Sequence, residues 1–231
     1  MSFQNTFFYF EVMARPGRNT IVLSILFFGP LLFYIFLLTG TNNFARLPVL
    51  TNGVDDVTRF QPEAGGQQIS LDGNISILCF LGRNPLDHKT NALNLNEKIY
   101  KHFFGFKGFQ FVVVLPDGSQ EYAAQLKKEL GATYDVDQWH FLFGSDQQVL
   151  AMFESLKTSY SLDSSLYSPD AFIIDREMNL RGRNDDDDMP NGMRYGYNAE
   201  SISTVHQEMV DDVKVVVAED RLALKKNKRQ I

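Results

Sequence analysis

The chain has 231 residues and a formal net charge of −6, from 22 lysines and arginines against 28 acidic residues. That length suits one ordinary domain with an appendage. The acidic balance argues against a general nucleic-acid binder, because phosphate binding wants a basic excess. One cysteine excludes an internal disulfide, a paired-thiol redox site and a cysteine-rich zinc site together.

Residues 1–19 read as a cytoplasmic N-terminal segment. Phe7, Phe8, Tyr9 and Phe10 suit a membrane interface, and Arg15 and Arg18 follow them. Residues 20–39 read as a transmembrane helix. Ile21 to Leu38 holds 14 Ile, Val, Leu or Phe residues among 18, with no charge. As a helix it spans about 27 Å, near the roughly 30 Å hydrocarbon core. A cleaved signal peptide fits less well, because the run is long and LTGTNNFA offers no good cleavage site. A buried core helix fits less well too, because every face is apolar. The two arginines before the span place the N-terminus in the cytoplasm and the remainder outside the cytoplasmic membrane, periplasmic in a Gram-negative cell.

Residues 40–58 read as a linker, and an α/β domain is expected over 59–223. Gln68 to Leu71 reads as a short strand turning at Asp72-Gly73. Ile75–Leu81 and Phe109–Leu115 are continuous apolar runs, as in strands buried on both faces. Between them a helix is expected over 89–103, with Leu93, Leu95, Ile99 and Phe103 inward. Asp117 and Gln120 suggest a capping box, and Ser145 with Gln148 suggests another. Trp139 to Phe143 reads as a strand, Ala171 to Ile174 as a third buried strand, and Asn179 to Gly182 as its antiparallel partner. The last helix starts near Asn198 or Ser201, with Ile202, Val205, Met209, Val213 and Val216 in one stripe. A basic tail over 224–231 is expected to fray. Strands alternating with helices predict a central sheet covered on both faces.

Several groups are candidates for chemistry. Asp87 and His88 sit in the loop after the first buried strand. They suit a weak metal contact or a polar binding loop, and equally a solvated loop opening the next helix. Asp185 to Asp188 lacks the calcium-loop order of ligands and reads as a solvated charge run, flanked by Arg181, Arg183 and Arg194. His102, His140 and His206 share no metal-ligand spacing. Cys79 lies inside a buried strand, where a thiol is ordinarily inert packing.

The ordered motifs ILCFLGRNPLDHKTNALNLNEKIY, WHFLFG and YSPDAFIIDREMNLRG, behind one N-terminal span, resemble the Sco family of membrane-anchored copper chaperones for cytochrome oxidase. The resemblance covers roughly residues 60 to 223. It implies a thioredoxin-like three-layer α/β sandwich, a mixed sheet with helices on both faces. It also implies copper held by a CxxxC pair and a distant histidine. Here those positions fall on Pro85, near Lys89 and close to Tyr167, so the copper ligands are absent and no cofactor is expected. The resemblance places a proline beside the active loop at Pro169, cis in thioredoxin-like folds; its isomer is left open. The expected role is a non-catalytic scaffold or assembly partner for respiratory complexes, not an enzyme. Its bilayer contact is through 20–39, and its protein contact face comprises Pro85, Asp87, His88 and Pro169. The alternatives are a metal chaperone with a rebuilt Asp87/His88 site, and an enzyme of another class on the same scaffold.

Overall fold

The computed structural model describes residues 17–39, 46–132 and 135–228. The chain divides into two compact units, one ending at Phe44 and one beginning at Ala45. The first contains helix α1, Arg18–Thr39, with Pro30 inside it. The side chains described there run unbroken from Ile21 to Phe36, and the large apolar ones are all exposed within this unit. Among the described residues, no helix is long and apolar enough to cross a membrane. The N-terminal aromatic cluster and Arg15 lie outside the described residues.

The second unit is built on an eight-stranded mixed sheet. Its strands are β1 Val49–Thr51, β2 Gln61–Pro62, β3 Ile75–Leu81, β4 Phe109–Pro116, β5 Trp139–Gly144, β6 Tyr167–Ile174, β7 Leu180–Arg181 and β8 Tyr197–Asn198. The order is β1-β7-β6-β3-β4-β5-β2, with β8 also paired to β6. Strands β3, β4 and β5 are parallel neighbours, while β6 runs antiparallel to β3, and β7 antiparallel to β6. Every residue of β3 and β4 is buried. That is why their sequences are continuous apolar runs: both faces of the sheet's centre are covered.

The two faces carry separate cores. On one face Ile77, Cys79, Phe111, Val113 and Trp139 pack under α2 (Lys89–Leu95), α4 (Gln120–Leu130) and α7 (Val210–Lys228). On the other, Leu78, Phe80, Val112 and Phe172 pack under α5 (Asp146–Ser155) and the segment from Val54 to Leu71. Each buried Leu, Val or Phe contributes roughly 1.5–3 kcal/mol of transfer free energy. Helix α2 continues through a π-helical turn, Asn96–Tyr100, into α3, Lys101–Phe103. Asn96 in that turn accepts a hydrogen bond from the Trp139 indole N–H at 3.2 Å, so the one tryptophan is satisfied in the core.

Several expectations need correction. The stretch expected as a linker over 40–58 belongs in large part to the domain. Leu47, Val54 and Val57 are buried, β1 pairs with β7, and β2 just beyond pairs with β5. One segment thus covers both edges of the sheet, which would otherwise expose unpaired backbone groups. Residues 66–70, expected to include a strand, are irregular. There the Asp56 carboxylate accepts from the Ser70 hydroxyl and the Leu71 amide, both at 2.7 Å, and pins the loop down. Helix α4 has Ser119 as its N-cap, not Asp117, and Ser119 makes no side-chain cap. The Asp117 amide instead bonds the Gly144 carbonyl at 2.8 Å, and Gly118 turns with φ +95°. The Ser145–Gln148 capping box is present as expected.

Leu93 and Ile202 are exposed, at 39% and 55%. Residues two apart on a helix point about 200° apart, so Leu93 cannot share the face of buried Leu95. The last helix has Ser201 as its N-cap, opens with α6 (Ile202–Thr204), passes through a π turn (Val205–Met209) and runs on as α7 to Lys228. The backbone expected to fray from 224 is therefore helical to that point.

The acidic run is only partly solvated. Asp186 is buried and held by Arg194, with Nε to Oδ2 at 2.5 Å, while Asp185, Asp187 and Asp188 are exposed. The Arg183 and Arg194 backbones pair across the hairpin, so the flanking arginines are structural ties.

Candidate functional site

The loop after β3 begins at Gly82, whose φ of +72° is one that glycine adopts at no cost. A β-carbon there would sit 3.0 Å from the Ser165 carbonyl oxygen and 3.1 Å from Tyr167 Cβ. The bare backbone therefore lets the loop lie against the start of β6. Arg83 fixes it further. Its amide donates to Ser165 O at 3.0 Å, its carbonyl accepts from the Ser119 hydroxyl at 2.9 Å, and its guanidinium pairs with Asp146.

Pro85, proposed for the contact face, is buried and does not face solvent. Beyond it Leu86 is half-buried, Asp87 is exposed, and His88 is half-buried at the start of α2. The His88 ring stacks on Tyr167, with ring centroids 3.4 Å apart and an interplanar angle of 7°. Tyr167 is itself buried and fixed at both ends. Its hydroxyl accepts from Asn91 Nδ2 at 3.0 Å and donates to Glu200 Oε1 at 2.6 Å. Its amide donates to Asp163 Oδ1 at 2.9 Å. Burial and the Glu200 carboxylate push the Tyr167 hydroxyl pKa upward, so the phenol stays protonated. Burial works to raise Asp163, but hydrogen bonds from Ser165 and the Tyr167 amide overcome it and hold the carboxyl below its usual range.

Pro169 is half-buried, and the described peptide bonds are all trans, including Ser168–Pro169. Its carbonyl accepts from the Ala199 amide at 2.8 Å and from Asn91 Nδ2 at 3.4 Å. The loop, β6 and the segment after β8 thus meet at one cluster. His88 and Pro169 are brought to it, while Asp87 is exposed one residue before His88 and Pro85 is buried earlier in the loop. Asn91, Asp163, Tyr167 and Glu200 complete it; of these only Tyr167 was marked by the sequence, as the place near which the resemblance puts the distant histidine.

Beside the cluster lies Asp170. Burial raises its carboxyl to about 6. The proton therefore binds the folded state more readily than the unfolded one, and stability falls as pH rises from about 4 to 6. Above that window the ionised group costs at most about 3 kcal/mol. Asp170→Asn is expected to stabilise the protein at pH 7.5 and to be near neutral at pH 4. Urea unfolding at both pH values checks this, and equal effects at the two would contradict it.

The remaining candidates are separate from this cluster. Cys79 is buried, and burial pushes its thiol up to about 12, so little thiolate forms at neutral pH. His140 lies on β5, where burial lowers its pKa. Among the described residues, no group of three or more His, Cys, Asp or Glu side chains is placed to hold a metal ion.

Comparison with protein-family models and with curated proteins finds no match. Among solved structures, the chain is similar to the mitochondrial 2-Cys peroxiredoxin of Plasmodium falciparum, with TM-score 0.47 and 16% identity over 75% of this chain and 96% of that one. It is similar to the soluble domain of Sco1 from Bacillus subtilis, with TM-score 0.43 and 18% identity over 73% and 94%. It is also similar to Arabidopsis thaliana ScoI with copper bound, with TM-score 0.41 and 14% identity over 67% and 98%. The sheet itself carries the fold assignment. A parallel β3-α2-β4 unit, β5 beyond it, an antiparallel β6–β7 pair and a closing helix make this a thioredoxin-like α/β domain with a mixed sheet.

Proposed function

We propose that the chain is a single-pass membrane protein, held in the bilayer through residues 20–39 with its N-terminus in the cytoplasm. Its thioredoxin-like domain lies outside the cytoplasmic membrane. There it serves as a non-catalytic scaffold or assembly partner for respiratory complexes of the cytochrome oxidase type, with Asp87, His88 and Pro169 on its contact face. The observation that carries this is the His88–Tyr167 stack. At the place where the Sco resemblance puts a copper site, two rings close on one another, and Asn91 and Glu200 lock the second ring. A preorganised, hydrogen-bonded surface suits recognition, because little ordering entropy is lost when a partner binds. The buried, protonated Cys79 supplies no nucleophile for thiol exchange. For the anchor, the support is the uncharged run of 18 apolar-rich residues, apolar on every side.

Deleting the gene in its own organism tests the reading. Assembled cytochrome oxidase, read from its haem absorbance, is expected to fall. It is expected to return with the wild-type gene and with Cys79→Ala, and not with Tyr167→Ala. Unchanged oxidase content in the deletion strain would sink the proposal, as would a folded Cys79→Ala protein that fails to restore it.

A further inference from the structure

The end of the sheet opposite the His88–Tyr167 cluster carries a second exposed feature. Tyr167 pairs with Leu81 at one end of β6, and Ile174 pairs with Ser76 at the other. These levels are about 16 Å apart along β3. At the far end, the turn before β4 reads Phe104-Gly105-Phe106-Lys107. Phe104 is 52% exposed and Lys107 is exposed, while Phe106 is half-buried under Arg221, whose Cζ lies 4.7 Å from the ring centroid. The turn is fixed from both sides. Gly105 has φ +74°, and its amide donates to Gln138 Oε1 at 3.1 Å. Arg176, in the turn after β6, lies 2.7 Å from Asp220 of α7 and donates to the Lys107 carbonyl at 3.4 Å. Phe104 is thus held out in solvent by a turn that is itself tied down. Leu222, beside Arg221 in the chain, is 45% exposed as well. The whole chain is acidic, but this end is not. Residues 221–231 hold five of its 22 basic residues and no acid, and Lys98 to Lys107 holds three lysines and no acid. The α7 backbone continues to Lys228. Glu219 and Asp220, just before Arg221, are already paired with Arg181 and Arg176. Asp137, next to Gln138, borders the turn on the β5 side. Glu219 also accepts from the Leu47 amide at 3.0 Å, so the chain enters the domain within one helical turn of Arg221.

We propose that this end of the domain is a docking surface for an anionic lipid bilayer. Phe104 enters the boundary between headgroups and acyl chains, where aromatic rings are favoured. Lys107, Arg221 and the basic end of α7 bind the anionic headgroups, as basic segments beside a membrane do. The segment 40–46 between Thr39 and Leu47 reaches at most about 30 Å. A tether that short keeps the surface at high effective concentration near the bilayer, so individually weak contacts suffice. The inference deepens the proposed function and rests on its reading of 20–39 as the anchor for that tether. Docked in this way, the domain turns its His88–Tyr167 end away from the lipid and towards a partner.

The test reconstitutes the full chain into vesicles of equal parts phosphatidylcholine and phosphatidylglycerol, with bromine on the acyl chains. Phe104→Trp adds a probe at the turn, and the buried Trp139 gives a constant background. The introduced indole is expected to lose at least half its emission to the bromines and to shift to the blue. That loss is expected to shrink by at least half in phosphatidylcholine alone, in high salt, and in a chain with Lys107→Gln, Arg221→Gln, Lys225→Gln, Lys226→Gln and Lys228→Gln. Ile202→Trp places an indole at the other end of the last helix, about 28 Å away, and is expected to keep its emission. No quenching of the Phe104→Trp indole in the anionic vesicles would overturn the proposal. So would equal quenching in Ile202→Trp, or quenching that neither salt nor the charge substitutions reduce. Flotation with phosphatidylcholine vesicles reads the anchor separately. A chain that floats with its turn unquenched in anionic vesicles loses this proposal and keeps the anchor. A chain that floats only on anionic vesicles, with its turn quenched, loses the anchor and keeps this proposal.

Discussion

Arg194→Ala is expected to cost about 3–5 kcal/mol of folding stability, the range for breaking a buried ion pair from one side. Arg194 is 4% exposed. Its Nε and one terminal nitrogen reach Asp186 at 2.5 and 3.1 Å, and its other terminal nitrogen lies 3.0 Å from Glu208. The Arg194 guanidinium holds the Asp186 carboxyl below its usual range. Without the cation, Asp186 and Glu208 are left charged and poorly solvated. The adjoining set suffers as well, since Arg183 pairs with Asp212 at 2.7 Å and Tyr197 donates to that carboxylate. Together these side chains bind the acidic hairpin to the last helix. Urea unfolding of the full chain in micelles measures the loss, with the buried Trp139 as the fluorescent probe. A loss below 1 kcal/mol would show that water reaches the network. Arg194→Met combined with Asp186→Leu is expected to recover part of the loss, because an apolar pair leaves no charge stranded.

The second large effect is expected at Arg181. Its guanidinium bonds the Leu47 carbonyl at 2.9 and 2.5 Å, Asp175 at 3.1 Å and Glu219 at 2.6 Å. Glu219 in turn accepts from the Leu47 amide at 3.0 Å. One buried cation therefore fastens the first described residues of the domain to β7 and α7. Arg181→Ala is expected to cost about 3 kcal/mol, because a carbonyl and two carboxylates lose a charge-assisted partner. Arg181→Lys is expected to recover little, since a point charge cannot span the same three acceptors. The loss should be localised. Hydrogen exchange is expected to speed up at Leu47, Thr51 and Val54 while β3 and β4 stay protected. Uniform deprotection would mean that this segment and the core unfold as one unit.

These two arginines also show what one sequence can and cannot disclose. Strands β3 and β4 were legible because burial on both faces forces every position to be apolar. Ser145 with Gln148 was legible because a capping box is local chemistry three residues apart. By contrast, β1 and β2 have three and two residues, and nothing in so short a run announces a strand. Their pairing is fixed by partners 80 or more residues away. Asp117 looked like a cap, but its amide was already claimed by Gly144 across the sheet. The four aspartates looked solvated because sequence cannot show that one of them faces Arg194. At the site, Asp87, His88 and Pro169 were found through the resemblance. The ring that His88 meets is 79 positions away in the chain, and a tyrosine in an apolar strand reads as core. Asn91 and Glu200 carry no local pattern at all, since their roles exist only once β6 and the last helix are in place.

As proposed, the thioredoxin-like domain works through a closed His88–Tyr167 face and not through a metal centre. Titrating the full chain in micelles with Cu(I), Cu(II) and Zn(II), alongside His88→Ala, tests that claim most directly. No stoichiometric tight binding and no rise in unfolding temperature are expected, because a ligand held by the folded state alone would raise it. One equivalent bound tightly by the wild type and lost in His88→Ala would contradict it, and would make His88 a ligand of a rebuilt metal site.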